Sequence, residues 1–421
     1  MASGPSPSAV RRPARAALQH RDFALYLWAR ILGSCGIEFQ ITGVSWHVYQ
    51  LTGQPFDLGL IGFAQFAPFL VLFLVSGAVA DRFPRTRVLS VCGVLHTCCA
   101  LLLYLLTLTG AGQFSLVFPV LIFMGVARAF QSPAQQAIVP LLVPREHFAS
   151  AVAWTTSATQ GVRIGAPALA GGLLLLGQVY VYGAAIGCLA LSALCTMLIR
   201  ANTQVVSTER PSWAALLGGL TFIGSRPILL GTIALDLCAV FLGGATALLP
   251  IYAVDILHVG AAGFGCLRAA QTVGTLACTL ALIRWPLARR AGVAMLGSVA
   301  LFGVATVVFG LSRSFLLSLL VLGIMGAADA ISVFIRAQVI QIVPPDHMRG
   351  RVSAVNAVFI GASNELGAFE SGLTAAWWGV VPAVVVGGLG TIAVALGFFW
   401  RFPSMKTLDA LDHEALIRQY R

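Results

Sequence analysis

The chain has 421 residues, 58% of them hydrophobic and 10% charged, against about 45–50% apolar and 25% charged in soluble domains, so no water-soluble fold covers its apolar surface. Apolar runs of about 20 residues, the length that crosses a ~30 Å hydrocarbon core as helix, recur along nearly the whole chain, and alternating segments of ~10 residues, which a barrel requires, do not occur. The net charge of +11 sits largely in the turns between these runs, which argues against a nucleic-acid partner.

In chain order, residues 1–22 are rich in Pro, Ser and Arg and hold no apolar stretch ending at a cleavage site, so they read as a cytoplasmic tail rather than a signal peptide. Six predicted spans follow, 23–49, 58–80, 88–109, 114–139, 149–176 and 179–199, which together make a first half of residues 23–199. The segment 200–226 carries Asn202, Thr203, Gln204, Glu209, Arg210 and Pro211 and reads as a cytoplasmic linker. Six more spans, 227–253, 262–283, 292–311, 315–341, 353–376 and 380–400, make a second half of residues 227–401, followed by a cytoplasmic tail, 402–421. The predicted fold is all-α and membrane-embedded, with twelve transmembrane helices in two pseudo-symmetric six-helix halves.

With the first residue inside the cell, the tails and even-numbered turns hold 20 of the 26 basic residues. Outside turns hold only Arg313, and five basic residues fall within helices. This bias sets both termini in the cytoplasm of a multi-pass protein.

An offset of 200 residues aligns Val143, Pro144, His147, Val152, Gly161, Ala168, Gly172 and Leu173 with identical residues between 343 and 373. Such a duplication is the plan of transporters whose substrate lies between two repeats near the midplane.

Five acids (Glu38, Asp236, Asp329, Glu365 and Glu370) and five arginines (Arg30, Arg128, Arg163, Arg268 and Arg336) fall within the predicted spans. An unpaired charge there costs about 2.5–3.5 kcal/mol or more, so these groups should face a central cavity or each other. Glu38 and Glu365, with Asp236 third, are candidates for reversible protonation. Arg30, Arg128, Arg163, Asp329, Arg336 and Glu370 are cavity-charge or substrate-binding candidates, unless fixed pairs between helices account for them. Asp329 and Arg336 are seven residues apart, two helical turns, so each needs another partner. His47 and His96 read as core residues, and the nine cysteines, none in a C-x-x-C pair, as small core hydrophobes.

The turn between the second and third spans reads Gly77-Ala-Val-Ala-Asp81-Arg82-Phe-Pro-Arg85-Thr-Arg87 and resembles the G-x-x-x-D-R-x-x-R signature of the major facilitator superfamily. There Gly77 permits a close helix crossing, and Asp81, Arg82 and Arg85 form a cytoplasmic gate that latches the halves. The second half keeps Arg284, Arg289 and Arg290 but has Ala281 at the aspartate's place, so the latch is one-sided. Arg128-Ala-Phe-Gln131 resembles a motif of proton-coupled members. Gly161, Gly165, Pro167, Gly171 and Gly172 resemble the fifth-helix motif of antiporters, with one extra residue between glycine and proline, and would provide close packing and a kink. Leu27-Trp-Ala-Arg30, Trp46 to Gly53, Pro133 to Pro140, Arg349-Gly-Arg-Val352 and Asn364-Glu-Leu-Gly367 resemble the bacterial group that includes the enterobactin exporter.

That resemblance implies a secondary transporter of the bacterial inner membrane. Its expected function is export of a small, siderophore-like amphiphilic molecule by proton antiport and alternating access, as a monomer within lipid and with no cofactor or metal. The alternatives are multidrug or macrolide efflux, lysophospholipid or other metabolite carriage, and a membrane-embedded enzyme or sensor. The sequence holds no H-E-x-x-H or G-x-S-x-G motif, and its single lysine, Lys406, follows Met405, so there is no Walker A and no direct drive by ATP.

Overall fold

The computed structural model describes residues 16–110, 114–204, 213–285, 290–406 and 408, and among these residues every regular element is helical. The first six long helices are α1 (Arg21–Thr52), α2 (Pro55–Arg82), α3 (Arg85–Leu108), α4 (Phe114–Leu142), α5 (Phe148–Leu176) and α6 (Gln178–Met197). After them come α7 (Trp213–Ser225), α8 (Pro227–Leu242), α9 (Gly260–Arg284), α10 (Ala291–Leu311), α11 (Phe315–Ile342), α12 (Asp346–Trp378), α13 (Val380–Arg401) and the short α14 (Pro403–Lys406). Among the described residues, nine stretches are long and apolar enough to cross a membrane. The long helices α1, α5 and α12 are not among them; they carry Arg30, Glu38, Arg163, Glu365 and Glu370, half of the embedded charges.

Local sequence explains where several helices stop. Gly53 closes α1 in the left-handed region, at φ 61°, its N–H bonded to the Tyr49 carbonyl, and Pro55 opens α2 where a helix needs no N–H donor.

Two expectations change. The segment 200–226 is not wholly a linker, because α7 occupies 213–225 and packs on α12. The predicted span 227–253 is long and apolar enough to cross a membrane, as Pro227–Ile256, but it is not one continuous helix. Helix α8 ends at Leu242, and the chain then descends through a tight turn (Ala245–Leu248), a single turn (Leu249–Ile251) and a wide turn (Tyr252–Ile256). Gly243 and Gly244 make the break, and a Cβ on Gly244 would collide with the Gly367 carbonyl of α12. Pro250 adds a residue without an N–H.

Packing divides the molecule unevenly along its length. One buried apolar cluster mixes early and late helices, including Trp46, Leu58, Val162, Tyr182, Leu249, Tyr252 and Phe264. It lies at the end that carries the turns after α1, after α5, before α9 and after α12. The other two clusters do not mix: one draws only on residues 17–199 and the other only on residues 223–408. The early and late helices therefore share a buried apolar core at one end of the bundle and none at the other, and the space between them at that second end is termed the cleft.

Candidate functional site

Small residues make the joint. Helix α2 crosses α12 at Gly59 and Gly372, where a Cβ on Gly372 would stand 2.6 Å from the Gly59 Cα. Helix α5 crosses α9 at Gly171 and Gly265, where a Cβ on Gly265 would stand 2.6 Å from the Pro167 carbonyl and 2.8 Å from the Gly171 Cα. Backbones this close exclude any side chain from the crossing. Two side-chain contacts reinforce it: the Tyr49 hydroxyl donates to Asp255 Oδ1 at 2.7 Å, and the Trp46 ring stacks on Phe264 with centroids 5.8 Å apart.

Above the joint, two ion pairs connect the early and late helices. Arg128 of α4 meets Glu365 of α12 at 2.5 Å, and Arg268 of α9 meets Glu38 of α1 at 3.3 Å. The Glu365 side chain lies against α2, within 3.2 Å of where a Gly62 Cβ would stand. Neither pair is sealed from solvent. Arg128 is 49% exposed and Glu365 18%, and Arg268 and Glu38 are 22% and 20% exposed.

A third pair, Arg336 with Asp236, is buried among the late helices, where Ser332 also donates to Asp236 Oδ1 at 3.4 Å. Asp236 is therefore not presented to the cleft. Asp329 lines the same small cavity with Asp236, Ser298 and Ser332, and no cation lies within ion-pair reach of it among the described residues. Arg336 thus finds its partner on α8, as the seven-residue spacing requires. Glu370 is half-buried, its carbonyl accepting from the Thr374 hydroxyl.

The remaining arginines lie on the early side. Arg30 donates to the Gln135 side chain on α4, and the neighbouring Tyr26 hydroxyl donates to the Gln135 carbonyl at 3.3 Å. Arg163 is exposed and makes no hydrogen bond or ion pair with the described residues.

The motif residues sit in different surroundings. Gly77 is half-buried and Arg82 is exposed, while Arg85 donates to the Ala137 carbonyl of α4 at 2.5 Å. The Asp81 side chain falls outside the described residues. So does Arg289, while Arg284 is exposed and Arg290 caps α10 at φ 54°. On α5, Gly171 alone of the motif's glycines meets another helix; a Cβ on Gly161, Gly165 or Gly172 would enter open space, so close packing does not explain them. Pro167 lies within the helix, its carbonyl facing Gly265. His47 and His96 are buried, His47 beside the Tyr182 hydroxyl at 3.2 Å. The cysteines are not uniformly core: Cys92 and Cys99 are buried, Cys98 and Cys266 are exposed, and all nine are free.

Sequence reading missed Gly59, Gly265, Tyr49 and Asp255. The signal available was weak: Gly59 and Gly265 lie 206 residues apart and Gly171 and Gly372 lie 201 apart, near the 200-residue offset of the duplication but not on it, since that offset pairs Gly172 with Gly372.

The family model described as transmembrane secretion effector matches residues 13–419. Among similar proteins, the enterobactin exporter EntS of Citrobacter koseri is 26% identical over 384 residues, covering 90% of this chain and 91% of the exporter. The multidrug efflux pump Tap of Mycobacterium tuberculosis is 25% identical over 411 residues, covering 91% and 94%. Among solved structures, a point mutant of the nucleoside transporter NupG superposes with a TM-score of 0.72 at 14% identity, covering 90% of this chain and 100% of that one. A bacterial homologue of the lysosomal transporter Spinster, inward-facing and occupied, gives 0.70 at 13% identity, covering 94% and 98%.

Proposed function

Because the chain belongs to the transmembrane secretion effector family of major facilitator transporters, and is thus a multi-pass membrane transporter rather than an enzyme, we propose that it exports a small amphiphilic molecule from the cytoplasm by proton antiport. The observation that carries the reading is the pair of solvent-reached ion pairs, Glu38–Arg268 and Glu365–Arg128, each spanning from an early to a late helix. The cleft takes cargo from the inside while both carboxylates hold their arginines. Protonation of either carboxylate removes its charge and releases the arginine, loosening one tie between the two sets of helices. Protons entering down their gradient can in this way be exchanged for cargo.

The proposal divides the chain into two six-helix halves, with α8 and the turns after it as the seventh span, that rock about the cleft. The glycine crossings support it. Gly59 of α2 meets Gly372 of α12 as Gly265 of α9 meets Gly171 of α5, the pattern expected if α2 answers to α9 and α5 to α12 within a register shift of a few residues. Within each half, Gly125 abuts the Gln65 carbonyl as Gly326 abuts that of Gln271. The excess of arginine in alternate turns supports cytoplasmic termini, placing the joined end outside and the cleft inside. The placement in a bacterial inner membrane and the monomeric state are part of the same proposal.

A siderophore-like cargo is favoured by the similarity to EntS; the near-equal similarity to Tap supports a multidrug cargo as the second reading. A deletion strain under iron limitation separates them. Intracellular build-up of a chelator that no longer reaches the medium identifies the first, and new dye or macrolide sensitivity with unchanged chelator identifies the second. In inverted vesicles, export is expected to collapse when the pH gradient is dissipated and in Glu38→Gln or Glu365→Gln with the protein still folded. Export that survives gradient collapse, or proceeds normally in both variants, overturns the coupling scheme.

A further inference from the structure

Charge balance inside the spans is uneven. Six of the ten embedded charges cancel in the pairs Glu38–Arg268, Arg128–Glu365 and Asp236–Arg336. The four left over are segregated: Arg30 and Arg163 belong to α1 and α5, early helices that pack on each other, whereas Asp329 and Glu370 belong to α11 and α12. Asp329 is turned toward Asp236 and Ser298, within the late helices, and so does not offset the arginines.

Neither Arg30 nor Arg163 has a carboxylate within ion-pair reach among the described residues, and the helices that carry them, α1 and α5, pack directly on each other. Arg30 is aimed rather than loose, since Gln135 holds one of its N–H groups and Tyr26 bonds the same residue. Its other donors are unused, and no nitrogen of either guanidinium is both buried and unsatisfied, which fits donors that open onto the cleft. A guanidinium is a planar fork of five donors, suited to a carboxylate or to phosphate and related oxyanions, and it stays charged under all physiological conditions. Charged groups held in a membrane span without a protein counter-ion point to a substrate that supplies one.

We infer that Arg30 and Arg163 form an anion-recognition site on the early wall of the cleft, and that the cargo carries an oxyanionic group which docks there while its apolar part lies along the cleft. The inference rests on the proposed export function, and it narrows the cargo from any amphiphile to an amphiphilic anion. Arg128 and Arg268 are not part of this site, being already engaged by Glu365 and Glu38.

The test uses the full chain in phosphatidylcholine nanodiscs and two isosteric probes, 1-naphthoate and its uncharged amide 1-naphthamide, titrated by calorimetry. The acid is expected to bind at least tenfold tighter than the amide. Arg163→Gln and Arg30→Gln should each remove that preference, Arg163→Lys should retain most of it, and tetraphenylphosphonium should bind no more weakly to the Gln variants than to the unmodified protein. Monodisperse elution of each variant excludes misfolding as the cause. Lysophosphatidylglycerol that displaces 1-naphthoate where lysophosphatidylcholine does not identifies a lipid headgroup as the anion's source, and failure of both to displace it identifies a free anion; either supports the site. Equal affinity for acid and amide, no binding of the acid, or a preference that survives the double Gln variant overturns it. Because the assay involves no gradient, its failure beside intact proton-driven export leaves the exporter standing with a neutral or cationic cargo. An acid preference beside gradient-independent export overturns the coupling and keeps the site.

Discussion

Adding one methyl group at either glycine crossing should open the joined end. In Gly372→Ala the new Cβ falls 2.6 Å from the Gly59 Cα and 2.8 Å from the Pro55 carbonyl, where ordinary contact begins at 3.4 Å. The obstructing atoms are backbone, so relief requires α2 and α12 to part by roughly an ångström. Overpacking of this kind costs about 1–3 kcal/mol, and it falls only on the conformation in which the helices touch. The gain in helix propensity on replacing glycine, about 1 kcal/mol, is common to both conformations and cancels. The ratio of joined to parted forms should therefore drop by about 5- to 150-fold. Spin labels at the exposed positions Gln54 and Trp378, in a variant with the nine native cysteines replaced, read this as a longer component in the pulsed-dipolar distance distribution. Gly172→Ala is the control, because the Cβ it adds meets nothing within 4 Å although it adjoins Gly171. An unchanged distribution in Gly372→Ala, or a control that shifts as far, refutes the argument that backbone contact sets the joint.

Two further outcomes follow from the ion pairs and the hydroxyl latch. Asp236→Asn or Arg336→Gln strands one buried charge, which typically costs about 3–5 kcal/mol. Each should lower the apparent melting temperature in detergent and the monodisperse yield, and Asp236→Leu with Arg336→Met should recover much of the loss; single variants as stable as the unmodified protein would show that the pair holds nothing. Tyr49→Phe removes the 2.7 Å bond to the exposed Asp255, worth about 1 kcal/mol once solvent competition is allowed for. It should shift the same Gln54–Trp378 distribution in the direction of Gly372→Ala, about fivefold, and a shift toward the joined form would contradict the role of the hydroxyl.

The parts of this molecule written locally were legible in its sequence, and the parts written as pairings were not. Apolar length and the position of arginine in turns are properties of single segments, so most spans could be read directly. The break after Leu242, inside the span Pro227–Ile256, could not be read, because the composition there is continuously apolar. What interrupts the helix is a glycine pair whose second member must admit the carbonyl of Gly367, 123 residues away in sequence. The embedded charges follow the same division. That Arg336 needs a partner beyond Asp329 follows from helical spacing, but nothing in the sequence selects Asp236 over Glu370. Nor does it tie Arg128 to Glu365 rather than Glu38, since these partners are brought together only when helices from opposite ends of the chain meet. The antiporter-like glycines on α5 are ambiguous for a related reason: four glycines look equivalent along one helix, yet among them Gly171 alone faces a neighbour. The internal repeat is where the two kinds of information join. It is a sequence property, and under the proposed two-half arrangement it relates the α2–α12 crossing to the α5–α9 crossing. If the two crossings are images of one contact, Gly265→Ala must reproduce Gly372→Ala in sign and rough size, and the two substitutions together must open the joined end further than either does alone.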